Sequence, residues 1–194
     1  MTDALFARLQ NTWRSHLHAA WSNGFPLVTG TIAESSPSNA SPYVAALEEV
    51  FARLAGLPGR AYVRQPLMDL LHDLYEAGYV VDFMLAGGSF FDLENSSPKD
   101  FDALCLYRAR PNVTQRANVL AGARARCLAQ RMDLRFAAID GEPLIYLKAL
   151  SYFSILYSQQ KPTYKGAHRP GLLLIDTRPG AAGSDLPGYR ARYV

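Results

Sequence analysis

A chain of 194 residues, 49% of them hydrophobic and 19% charged, is long enough to bury roughly two-thirds of its unfolded surface and lies outside the disordered classes. Its formal charge of +3, from 20 Lys and Arg against 17 Asp and Glu, is too small by itself to define a nucleic-acid-binding protein, because that affinity needs concentrated cationic surface. The two cysteines, Cys105 and Cys127, form no Cys-x-x-Cys or Cys/His cluster, which excludes an ordinary structural zinc site and fits small core residues in a reducing compartment.

Residues 3–21 repeat apolar groups every four positions (Leu5, Leu9, Trp13, Leu17 and Trp21), the single stripe of an amphipathic helix. Arg8, Gln10, Asn11, Arg14 and His16 interrupt any apolar signal core there. Residues 22–42 are rich in Ser, Gly, Pro and Asn and read as a long loop or wrapping arm. A helix is expected at about 43–55, carrying Val44, Leu47, Val50, Phe51 and Leu54 and ended by Gly56 and Pro58. A second is expected at about 65–77, ended by Gly78.

The β-branched and aromatic run 79–86 then reads as a strand, followed by Gly87, Gly88 and Ser89. Residues 100–107 form a second strand, apolar on both faces beyond its aspartates, as in a central strand covered on both sides. A helix at 113–131, a strand at 132–138 and a helix at 142–160 follow, the last with Leu144, Leu147, Leu150, Tyr152 and Ile155. The run 171–176 is a candidate fourth strand. Strands alternating with helices indicate an α/β (α+β) domain, a mixed sheet flanked by helices with a helical N-terminal region. The organisation expected is one domain. Residues 1–78 are its helical region and loop, 79–140 its catalytic core, and 141–194 its C-terminal helix and basic tail. No run reaches the ~18 apolar residues of a membrane span, so a cytoplasmic protein without a membrane partner is expected.

Asp100 and Asp102 are two apart in a strand, so both carboxylates lie on one face, about 7 Å apart along the chain. Close carboxylates repel, and a divalent cation between them relieves the repulsion; Mg²⁺ commonly takes one or two carboxylates plus substrate phosphates. Taken alone, the pair reads more readily as two solvent-facing aspartates at a strand mouth. Gly87, Gly88 and Ser89 let backbone approach a ligand closely and turn amides toward an anion, with Ser89 opening a short helix toward Glu94. Taken alone, that is an ordinary strand-to-helix turn. Asp133 shares a face with Arg135 in the strand 132–138. An aspartate there needs either a metal or an arginine partner, and Asp140 is the next candidate if the register differs.

In AGGSFFDLENSSPKDFDALCLY a strand leads into Gly-Ser, ten residues (90–99) intervene, and Asp-x-Asp opens a second apolar strand. This order resembles the DNA polymerase β-type nucleotidyltransferase superfamily, over about residues 79–140. A fainter likeness to small members extends to KPTYKGAHRPGLLLID. The resemblance implies a mixed sheet flanked by helices. It implies that Gly87, Gly88 and Ser89 bind a nucleoside triphosphate, ATP first among NTPs. It further implies that Asp100, Asp102 and Asp133 are catalytic and bind Mg²⁺ or Mn²⁺. The expected reaction is transfer of a nucleoside monophosphate to an acceptor hydroxyl on a small molecule, protein or RNA end. Lys99, Lys148, Lys161 and Lys165 are further phosphate candidates. Two alternatives stand beside it. One is an inactive nucleotidyltransferase-fold protein that binds a partner or forms a homo-oligomer, as in toxin–antitoxin pairs. The other is a nucleic-acid-binding protein using the basic tail, which holds Lys161, Lys165, His168, Arg169, Arg178, Arg190 and Arg192.

Overall fold

The computed structural model describes residues 3–23, 26–159 and 171–178. The helical stripe at the start is α1 (Asp3–Ser22), and Leu17, Ala20 and Trp21 of it are buried. The segment after it is an arm with a single helical turn at Ile32–Glu34 and a bridge between Val28 and Ala40.

The helix expected at 43–55 divides into a strand, β1 (Tyr43–Ala46), and a helix, α2 (Leu47–Leu54). The sequence spacing of Val44, Leu47, Val50 and Phe51 suits a continuous helix. Tyr43–Ala46 is drawn out instead because it pairs in parallel with a strand 130 residues further along, in the register Tyr43↔Leu173. Such pairing leaves no local signal. The rest of the order follows expectation: α3 (Arg64–Glu76), β2 (Tyr79–Gly87), β3 (Phe101–Ala109), α4 (Ala117–Ala129), β4 (Met132–Ala138), α5 (Pro143–Tyr157) and β5 (Leu173–Asp176). Gly78, at φ +90°, ends α3 in the left-handed region that glycine occupies without strain.

The strands form one mixed five-stranded sheet in the order β1-β5-β2-β3-β4. The pairs β1–β5 and β3–β4 are parallel, while β5–β2 and β2–β3 are antiparallel. The fold is therefore α/β with flanking helices, as the alternation of elements implied. β3 is an interior strand covered on both faces. Phe101, Ala103 and Cys105 enter the larger core with residues of α1, α2, α3 and α4, while Leu104 and Leu106 enter a smaller core. Leu85, Ala137, Tyr157 and Leu172 share that smaller core, with Tyr146, Leu150 and Phe153 of α5 packed against it. Five side chains on two helices depart from the expected faces. Ala123 and Cys127 carry the inner side of α4 whereas Leu128 is exposed, and Leu144, Leu147, Tyr152 and Ile155 of α5 are also exposed. Among the described residues, no helix is long and apolar enough to cross a membrane.

Candidate functional site

The alternation of β3 decides where the aspartates lie. Even-numbered residues Leu104 and Leu106 face α5, so Asp102 belongs to that face too. Its Cα partner in β2 is Gly87, and its Cα partner in β4 is Asp133. Gly87, Asp102 and Asp133 therefore form one row across three adjacent strands, at the end where β2 turns away and β3 begins.

Both glycines are required by what surrounds them. A Cβ at Gly87 would overlap Leu172 and come within 3.0 Å of the Cβ of Tyr157. Gly88 has φ +76°, and a Cβ on it would lie 3.0 Å from Oδ2 of Asp102. The turn backbone thus sits directly against the carboxylate. Ser89 is half-buried in the short 3₁₀ turn Gly88–Phe91, which is a tighter and shorter element than a helix running to Glu94. Phe90 and Phe91 anchor this turn from below. They pack edge-on with each other and with Phe101, at centroid distances of 5.5, 5.0 and 6.1 Å.

Sequence reasoning missed Arg60, which is 1% exposed. Its guanidinium donates to the carbonyls of Phe90 (2.7 Å), Pro58 (3.0 Å), Asp92 (2.6 Å) and Asn95 (2.8 Å), and it also lies over the Phe90 ring. It fastens the loop leaving the Gly-Gly-Ser turn. The only available signal was an arginine beside Gly59, whose φ of +71° brings that segment against Ser96 and Pro98. Arg131 does comparable work before Asp100. It donates to the carbonyls of Lys99 and Pro98, and its guanidinium lies 4.5 Å from the centroid of Tyr62. Tyr62 donates to the carbonyl of Arg131. Burial raises the Tyr62 pKa; Arg131 opposes that rise, and the charges of Asp100 and Asp102 add to it.

Tyr157, at the end of α5, stands close to the row. Burial is the main cause of its raised pKa, and the carboxylates of Asp102 and Asp133 push it further. Asp133 itself is engaged. Arg135 donates from Nε to Oδ1 at 3.0 Å and from Nη2 to Oδ2 at 3.2 Å, and Nε of Arg124 lies 3.9 Å from Oδ1.

The fit of a divalent cation can be judged from these donors. Asp102 lies in β3 and Asp100 just before it, outside the strand, and their carboxylates are hard oxygen donors of the kind Mg²⁺ prefers. Among the described residues, however, no group of three or more His, Cys, Asp and Glu side chains is gathered closely enough to hold a metal. Asp133 is in register with Asp102 but is turned to arginine. A cation shared with Asp102 would compete with Arg135 for the Asp133 carboxylate.

Several other candidates have partners of their own. Oδ2 of Asp140 accepts from the amide of Ala109 at 2.7 Å, closing the far end of β3. Asp69 accepts from Gln65, and Asp73 pairs with Arg126. His16 bonds Thr29. Lys99 and Lys148 are exposed. Of the basic tail, Lys161, Lys165, His168, Arg169, Arg190 and Arg192 lie outside the described residues, while Arg178 pairs with Asp176. No family model matches the chain, and no curated protein or solved structure matches it either.

Proposed function

We propose that this chain is a Mg²⁺-dependent nucleotidyltransferase, moving a nucleoside monophosphate from an NTP, with ATP the first choice, to an acceptor hydroxyl. The observation that supports it best is the row Gly87–Asp102–Asp133, with the Gly88 backbone seated on the Asp102 carboxylate. A carboxylate pressed against a glycine turn brings a cation ligand and a phosphate-binding backbone into contact, as phosphoryl transfer requires.

The chain's own groups then divide the work. Amides of the Gly88–Ser89 turn and the Ser89 hydroxyl hold the β and γ phosphates. Asp100 and Asp102 would hold Mg²⁺ or Mn²⁺, which when bound would neutralise phosphate charge and acidify the acceptor hydroxyl. Asp133 would join them as the third carboxylate on the metal and accept the acceptor's proton. The acceptor oxygen attacks the α-phosphorus in line. The new P–O bond forms as the bond from that phosphorus to the α–β bridging oxygen breaks, and pyrophosphate leaves with its electron pair. Positioning and charge neutralisation supply most of the acceleration.

A second reading, a non-catalytic protein of the same fold that binds a partner, is favoured by one observation. Asp133 is held at both oxygens by Arg135. Thermal melting separates the two. Mg²⁺ and ATP at about a hundred times the dissociation constant should add roughly 2.7 kcal/mol of stability, a rise of about 5–10 °C at this size. Asp100→Asn with Asp102→Asn should remove the rise. No rise with any NTP would contradict the catalytic reading.

A further inference from the structure

We propose that Arg135 is a gate on the third carboxylate: it holds Asp133 while the site lacks metal and nucleotide, and transfers to the triphosphate when they bind. This rests on the nucleotidyltransferase reading of the same site.

The geometry carries the idea. Arg135 and Asp133 are two apart in β4, so their side chains leave the same face of the sheet, the face that also carries Asp102. The contact is a two-pronged fork that uses both carboxylate oxygens, at 3.0 and 3.2 Å. Both Asp133 oxygens already accept from the guanidinium, so a cation beside Asp102 must compete with a positive charge held directly on that carboxylate. The pair is also easily exchanged. The Arg135 side chain is 37% exposed and that of Asp133 is 28% exposed, and ion pairs so open to water are weak. Arg124, 3.9 Å from Oδ1, adds a second cation on the same carboxylate.

A cation that takes Asp133 leaves the Arg135 guanidinium without its acid, on the face of the sheet that carries Asp102 and beside the row whose other end is Gly87. Guanidinium forks bind phosphate oxygens in the same two-pronged manner as carboxylates. Arg135 therefore opposes metal binding in the absence of nucleotide and assists it in its presence. Because coupling is reciprocal, metal and nucleotide should each tighten the other through this one residue.

The test is Mn²⁺ titration of the full chain followed by electron paramagnetic resonance, with and without a non-hydrolysable ATP analogue. Arg135→Met should bind Mn²⁺ alone about 5–10-fold more tightly than the unaltered chain and should bind the analogue, with Mn²⁺ present, about tenfold more weakly. Arg135→Lys, which keeps the charge without the fork, should fall between the two and guards against a Met variant that does not fold. A residue of merely structural importance would not strengthen metal binding when removed. Unchanged or weaker Mn²⁺ binding in both variants, while Asp102→Asn still weakens it, would overturn the gate and leave the site reading standing. If Asp102→Asn leaves Mn²⁺ binding unaltered even alongside Arg135→Met, the site reading itself falls and takes the gate with it.

Discussion

Gly88 and Asp102 are in contact through a missing methyl group: a Cβ on the glycine would lie 3.0 Å from Oδ2 of the aspartate, on a backbone at φ +76°. Gly88→Ala therefore meets two penalties, the left-handed conformation and the carboxylate. It should cost about 1–2 kcal/mol in a urea melt and remove nucleotide binding as well. Gly122, inside α4 with open space around it, is the control. Gly122→Ala should stabilise the chain by roughly 0.5–1 kcal/mol and leave nucleotide binding intact. Equal effects at the two glycines would argue against a special role for Gly88.

Arg60 should be among the most sensitive positions outside the carboxylates. Burial lowers its pKa, but a guanidinium stays charged in any case, and here four main-chain carbonyls receive it. Arg60→Met leaves those carbonyls without a donor and should cost about 3–5 kcal/mol by urea titration. Arg60→Lys should recover only a small part, since one ammonium group cannot reach all four. Limited proteolysis would then cut within residues 88–97 before the sheet opens. A variant as stable as the unaltered chain would rule out this role.

Alkaline pH should destabilise the fold through groups that keep their protons longer when folded. Burial pushes the Cys127 thiol from 9.0 up to about 11, with Arg126 opposing it, and burial pushes Tyr43 from 10.0 up to about 12. The contribution of each is complete below the lower value and is lost as pH rises through the higher one, because the unfolded chain ionises first. Urea midpoints should be flat near pH 8 and fall between about 9 and 12, and Tyr43→Phe should flatten the upper part of that fall. Tyr43 donates to the carbonyl of Pro26, so this variant also loses one hydrogen bond at every pH. A midpoint that does not move across the window would refute the assignment.

How far the sequence discloses these features depends on how local their causes are. β2, β3 and β4 announce themselves because each is a β-branched, aromatic or apolar run between turn residues. The shared face of Asp133 and Arg135 follows from strand alternation alone, including the arginine as a possible partner. β1 does not announce itself, because Tyr43–Ala46 becomes a strand only by pairing with Leu173–Asp176. Separation in sequence also hides Arg60, whose carbonyl partners at Phe90, Asp92 and Asn95 lie 30 to 35 residues away. α5 misleads for another reason. It is apolar nearly all round, so periodicity cannot say that Leu150 and Phe153 pack inward while Leu144 and Ile155 face outward.

The direct test of the central claim is to incubate the chain with Mg²⁺, cell extract and NTPs labelled at either the α or the γ phosphorus. The account predicts that the α label, and not the γ label, becomes attached to an acceptor while pyrophosphate is released, and that Asp100→Asn with Asp102→Asn stops both. Transfer of the γ label, or no transfer from any NTP, would contradict it.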